Sequence, residues 1–299
     1  MQPGLKNNGG RRENTLVVDW RNCAWVPPIT VTKPLLPSPP VLHTIRRNLT
    51  FLTTMKIISH SSRRLRAGFT LVELLVVIAI IGILAAMSLA VIPRVVNSAK
   101  RTKAKLEAQD IATAIQHYAS VYGRFPASSG SQTVGGVNDF TYGGSVLANA
   151  SFSPVYTTNN AEVIAILMDS QTFGNGVNTN HVKNPQKTIF LNAKMTDYPT
   201  VLLTPPPGGV DQNGVYRDPW GNPYIITMDL SYDEQSKDAL YSLTSVSGGG
   251  LNGLVNPDGS ANNFRFHGTV MVWSAGPDGK VDASALANQG LNKDNVLSW

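Results

Sequence analysis

The chain has 299 residues, is 42% hydrophobic and 15% charged, carries a formal net charge of +6 and contains one cysteine. The charge is uneven: residues 1–68 hold 11 of the 25 Lys and Arg but only 2 of the 19 Asp and Glu, which leaves 14 basic and 17 acidic side chains, a net of −3, in the rest. The basic balance therefore gives no support to nucleic-acid binding, and the lone Cys23 excludes a disulfide within residues 69–299. In residues 1–54, Pro27, Pro28, Pro34, Pro37, Pro39 and Pro40 interrupt any helix or central strand, and no apolar period emerges. We read residues 1–54 as an extension outside the folded product, either sequence upstream of a true start at Met55 or a disordered cytoplasmic segment.

Residues 55–68 are basic, with Lys56, Arg63, Arg64 and Arg66 and no acid before Gly68. Then comes GFTLVELLVVIAIIGILAA, in which Glu73 is the single charge, and no further charge occurs from Leu74 to Ile92. About 18 or more apolar residues suffice to cross a ~30 Å hydrocarbon core as a helix, so residues 71–92 are the predicted span. Cations before the span hold that end in the cytoplasm. A lone acid at its start is expensive and marks a functional site. A secretory signal peptide has a shorter apolar core of ~7–15 residues, although Ala85, Ala86 and Ser88 offer small residues for cleavage. A plain anchor fits the hydropathy but not the Gly-Phe-Thr-Leu-x-Glu order.

Past Pro93 the chain turns polar, and Ala104, Ala108, Ile111, Ile115, Tyr118 and Tyr122 return at steps of three and four. Gly123 and Pro126 end the pattern. The spacing predicts one helix from about Phe69 to Tyr122, on the order of 80 Å long, with a kink near Pro93. Residues 124–215 read as a loop-rich insert. Gly, Ser, Asn and Thr dominate 127–160, Glu162–Asp169 reads as a short helix N-capped by Asn160, Thr188–Leu191 as a strand, and Thr204–Gly209 as a connector. Residues 216–299 read as antiparallel β with a C-terminal loop. Asp218–Asn222 is turn chemistry, and Tyr224–Met228, Leu240–Val246 and Phe264–Trp273 are strand candidates. The fold class is α+β: a long N-terminal helix laid on a small antiparallel sheet. Trp220 and Trp299 read as packing residues.

The N-terminal segment resembles the signal of type IV pilins and type II secretion pseudopilins. The resemblance implies a leader, residues 55–68, cut by a prepilin peptidase after Gly68, with methylation of the new N-terminus at Phe69. Glu73 then corresponds to the acid that serves assembly: its carboxylate would neutralise the Phe69 amine of a neighbouring subunit, since pairing makes buried charge tolerable. The alternative is that Glu73 merely snorkels at the interface. Many type IV pilins close a C-terminal loop with a disulfide; its absence favours the pseudopilin branch. Asp218-Pro-Trp-Gly-Asn-Pro-Tyr224, Ser274-Ala-Gly-Pro-Asp-Gly279 and the ending Asp294–Trp299 resemble the G-type major pseudopilin. That likeness implies one Ca²⁺ in the C-terminal loop, with Asp278, Asp282 and Asp294 as carboxylate ligands and Gly276 and Gly279 permitting tight backbone. The alternative is a plain turn, and Asn256-Pro-Asp-Gly259 has the same letters with no metal argument. Residues 283–292 depart from the compact relatives and put the register of Asp282 and Asp294 in doubt.

The expected function is structural: a subunit of a type II secretion pseudopilus, single-pass in the bacterial inner membrane with its C-terminal domain in the periplasm. Its implied partners are prepilin peptidase, copies of itself and other pseudopilins, an inner-membrane assembly platform and a secretin channel, with no nucleic acid. A cytoplasmic ATPase would supply the energy, because Gly248-Gly-Gly250 lacks the lysine of a phosphate loop. A pilin or minor pilin for adhesion, motility or DNA uptake is the alternative; DNA uptake predicts a basic, aromatic stripe, which the net acidic balance opposes. No catalysis is expected. His117, His181 and His267 are scattered and fit no nucleophile or metal pattern.

Overall fold

The computed structural model describes residues 68–196 and 205–299. The leader cations, Cys23, the proline-rich extension and Thr204 lie outside the described residues. Helix α1 is Leu71–Tyr122, 52 residues assigned without a break through Pro93. Proline withholds the bond to the Leu89 carbonyl but does not end the helix. Gly123 ends it at φ +64°, a left-handed cap open to glycine at no steric cost, with its N–H on the Ala119 carbonyl.

Among the described residues nothing covers the first half of α1: its large apolar side chains from Leu71 to Val96 are all exposed. The second half behaves differently. Ala104, Ala108, Ile111, Ile115 and Tyr118 are all fully buried, at the predicted spacing. Each buried Ile there contributes about 1.5–3 kcal/mol relative to exposure.

Behind α1 come α2 (Ser129–Gly135), strand β1 (Phe140–Tyr142), α3 (Gly144–Asn149) and α4 (Ala161–Leu167). A two-strand ribbon, β2 (Gly209–Val210) with β3 (Tyr216–Arg217), precedes β4 (Ile225–Met228), the short helix α5 (Thr244–Ser247), β5 (Val270–Ser274) and β6 (Val296–Leu297). The main sheet is antiparallel in the order β1-β4-β5-β6, with Tyr142 opposite Ile226, Ile226 opposite Val272 and Trp273 opposite Leu297. Side chains alternate between two cores. Ile226, Met228, Val270 and Val272 pack toward α1, whereas Ile225, Met271 and Trp273 pack with Leu240, Tyr241 and Val246 on the other face. The Tyr224 hydroxyl donates to Glu107 Oε2 at 2.7 Å and fastens α1 to the sheet. The α+β arrangement is as expected.

Five local expectations are corrected. Residues 127–160 are not loop alone: α2, α3 and β1 form there, and β1 is an edge strand of the main sheet. Thr188–Leu191 is not a strand, because the Phe190 and Leu191 N–H groups both turn to the Leu167 carbonyl at the end of α4. Leu240–Val246 is apolar because it covers the second face; buried Asp238 accepts the N–H groups of Leu240 and Tyr241 and bends the chain. Of Phe264–Trp273 only Val270 onward joins the sheet, so His267 sits in a bend and not a strand. Asn160 does not cap α4 either. Its buried amide donates to the Tyr216 and Tyr224 carbonyls and accepts the Tyr216 N–H, while Asn159 Oδ1 takes the Ala161 N–H. Trp220 is buried against Ala104 and Val296, and Trp299 packs edge-on to Tyr241, both as read.

Candidate functional site

Two places in the fold correspond to predicted sites. The first is the start of α1. Gly68 and Phe69 precede the helix in non-helical chain, Phe69 is 75% exposed, and among the described residues a β-carbon added at Gly68 would meet no atom within 4 Å. Glu73 sits in the first turn. Thr70 caps the helix: its N–H and its hydroxyl each donate to Glu73 Oε2 at 2.8 Å, and the Glu73 N–H donates back to the Thr70 hydroxyl at 3.2 Å. This reciprocal capping box satisfies two orphan helix N–H groups and orients the carboxylate toward the N-terminal end, where the Phe69 amine would arise. Sequence reasoning missed Thr70, although a threonine three residues before an acid at the head of an apolar run signals it.

The second place is the C-terminal loop. The turn Asp218–Asn222 is built on one buried carboxylate: Asp218 Oδ1 accepts the Trp220 and Asn222 N–H groups, and Oδ2 accepts the Ser274 hydroxyl. Burial pushes Asp218 up to about 6 against these donors. Asn222 then reaches across, its Nδ2 donating to the Gly276 carbonyl at 2.9 Å. Gly276, at φ +69°, leaves no room for a β-carbon against the Asp294 main chain. The turn motif and the Ser274–Gly279 loop are thus one assembly.

The three predicted carboxylates are not equivalent in it. Asp278 is exposed and accepts the Lys280 N–H at 2.9 Å. Asp294 is near it: burial and then the Asp278 charge push the Asp294 carboxyl up. Asp294 Oδ1 is buried without a hydrogen-bond partner. Asp282 is engaged elsewhere, accepting the Ser284 N–H, while its backbone N–H and carbonyl are both held by the buried Asn292 amide. Among the described residues no three His, Cys, Asp or Glu side chains gather as a metal cluster. Asn292 organises this loop, and nothing in the sequence singled it out. The turn with the same letters differs: Asp258 accepts from the Ser260 N–H and hydroxyl and from Asn263 Nδ2, so its needs are met and it is held well below the usual carboxylate range.

The histidines stay apart. His117 packs edge-on to Phe190, His267 is exposed, and His181 Nδ1 lies 2.7 Å from Asp169 with Gln171 on its other nitrogen.

Comparison with known proteins finds one match. Residues 63–89 fit the family model described as the prokaryotic N-terminal methylation motif. No curated protein and no solved structure matches the chain. The motif covers the cut site, Glu73 and most of the exposed apolar half of α1, and that half is the one described helix long and apolar enough to cross a membrane. The motif and the helix-on-sheet architecture support a type IV pilin-like protein processed by prepilin peptidase, and the motif with the apolar half of α1 fits an inner-membrane protein with one span among the described residues.

Proposed function

We propose that the processed chain is a structural subunit of a type II secretion pseudopilus, polymerised through α1, and that it performs no chemistry of its own. The observation that carries this reading is a helix half that the head leaves bare, with Glu73 as its sole charge up to Pro93. In lipid, bare apolar surface is at rest. In a filament the same surface packs against copies, and Glu73 meets the Phe69 amine of a neighbour. The joined Asp218 turn and Ser274–Gly279 loop support the pseudopilin branch over a pilin for adhesion, motility or DNA uptake. An assembly platform, a cytoplasmic ATPase and a secretin channel would be its partners.

The test uses Glu73→Gln, which keeps an acceptor for the Thr70 cap, beside Glu73→Ala. Both are expected to insert in the membrane, lose their leader and fail to appear in sheared filaments. Normal filaments from either variant would sink the pairing role. Deleting the gene is expected to leave exported proteins inside the cell; intact export with lost adhesion or motility would turn the assignment to a pilin.

The C-terminal loop fits one Ca²⁺, which wants six to eight oxygens. The unpartnered Oδ1 of Asp294 beside Asp278 is an arrangement a cation relieves. Asp278 and Asp294 would hold it with loop carbonyls, whereas Asp282 is committed to Ser284 and Asn292. Calcium at a hundred times its Kd should stabilise the head by about 2.7 kcal/mol. A melting temperature that ignores chelator would refute the site.

A further inference from the structure

The helix that anchors the chain carries a second feature that the filament reading does not use. Beyond the apolar run, Arg94, Arg101 and Lys105 are spaced i, i+7 and i+11, which puts them on one side of α1. All three are exposed, and none forms an ion pair among the described residues. The acid next in the chain, Glu107, is turned away, held by Tyr224 and by Lys103 at 3.7 Å. Arg101 and Lys105 overhang a groove of about 470 Å³ between α1 and the C-terminal strand. Its lining mixes Arg101, Lys105, Gln109 and Leu106 of α1 with the apolar Leu297 and Trp299 of the C-terminal end. Leu106 is 57% exposed, although it belongs to the head half of the helix. Trp299 is fixed there by its indole N–H on the Asn252 carbonyl and by Tyr241. Arg101 donates to the Asp294 main-chain carbonyl at 3.0 Å, and its charge also acts on the Asp294 carboxyl.

Position decides what such a groove meets. The charge-free run ends at Ile92, and exposed apolar side chains continue past Arg94 to Val96. Arg101 and Lys105 follow Val96 by about 7.5 and 13.5 Å at the helical rise. The headgroup zone is itself about 5–7.5 Å deep on each side. Side chains on a helix lean toward its N-terminus, here toward the bilayer, and Lys and Arg stems reach further still. The groove and the span are parts of one helix, and the lean of its side chains brings Arg101 and Lys105 toward the leaflet beneath the head.

We propose that this groove binds an anionic phospholipid headgroup of the leaflet beneath the head, with the phosphate between Arg101 and Lys105, and with Leu297 and Trp299 against the lipid's glycerol end. The proposal rests on the membrane span alone and needs no filament.

The experiment places processed full-length protein, one copy per nanodisc, in phosphatidylcholine containing a rising fraction of phosphatidylglycerol. Hydrogen exchange is read at residues 100–109 and 295–299. Protection is expected to grow with phosphatidylglycerol. Arg101→Gln and Lys105→Gln should each raise the fraction needed for half-protection about fivefold. Lys103→Gln, on another face, should leave it unchanged, and all three exposed sites should keep the wild-type melting temperature. Equal protection without phosphatidylglycerol would overturn the proposal. So would an equal effect of Lys103→Gln, which would mean general surface charge, or protection seen only with two copies per disc, which would make the groove a subunit interface.

Discussion

The two halves of α1 follow different rules although one unbroken helix contains both. From Leu71 to Val96 the large apolar side chains point in all directions and are all exposed; from Ala104 to Tyr118 a stripe of Ala104, Ala108, Ile111, Ile115 and Tyr118 is fully buried, with Leu106 left exposed beside it. An all-round apolar helix needs an apolar solvent, and a striped one needs a sheet. Helix geometry alone cannot distinguish them. The sequence period can, because it reports what surrounds each turn.

Substitutions in the two halves should therefore separate cleanly. The largest contrast is Ile111→Ala against Ile81→Ala. The first leaves a cavity over the sheet and should cost the head about 3 kcal/mol in thermal unfolding; the second should leave the head's melting temperature where it was. A comparable drop for both would erase the distinction.

Acidity should act on the covered half only. Asp218 is raised to about 6 by burial, so between its unfolded value near 4 and 6 the native state binds the extra proton. Its contribution is therefore most favourable below about pH 4 and falls as pH rises through 6, by on the order of 2 kcal/mol. Melting measured in chelator should show this slope. Asp218→Asn should flatten it, since an amide can accept the Trp220 and Asn222 N–H groups and donate to the Ser274 hydroxyl. Burial raises Asp139 to about 6 in the same sense, so a residual slope should remain.

A smaller effect is expected at the fastening of helix to sheet. Tyr224→Phe keeps the ring but removes the bond to Glu107, and should lower head stability by about 1 kcal/mol. At the bare end, Thr70→Ala removes the capping box and should cost about 1 kcal/mol of local helix stability. It should speed hydrogen exchange in the first turn without moving the melt of the head.

The parts legible in the sequence were those set by local period or by obligatory backbone chemistry. The span, the buried stripe from Ala104, the Gly123 stop and β4 all belong here, and so does the methylation motif over residues 63–89. What escaped was set by distant partners. β1 lies in Gly- and Ser-rich sequence and is a strand only because β4 offers an edge. Leu240–Val246 has strand-like residues because it is a lid, and Asp238 bends it. Asn160 and Asn292 look like loop amides in the sequence, yet Asn160 holds the distant backbone of Tyr216 and Tyr224 and Asn292 ties Asp282 and Ala285 within its own loop. The candidate metal loop was half legible: Asp278 and Asp294 come together and Asp282 does not.

The bare half of α1 also limits how the subunit can travel. Seventeen large apolar side chains between Leu71 and Val96 would meet water if the rod were drawn out of the bilayer alone. At about 1.5 kcal/mol or more apiece, that passage stands tens of kcal/mol uphill. No subunit can cross it unaided. In the proposed filament each turn of helix that leaves the lipid has to find a neighbour's helix in the same movement, so departure and docking would be a single concerted slide.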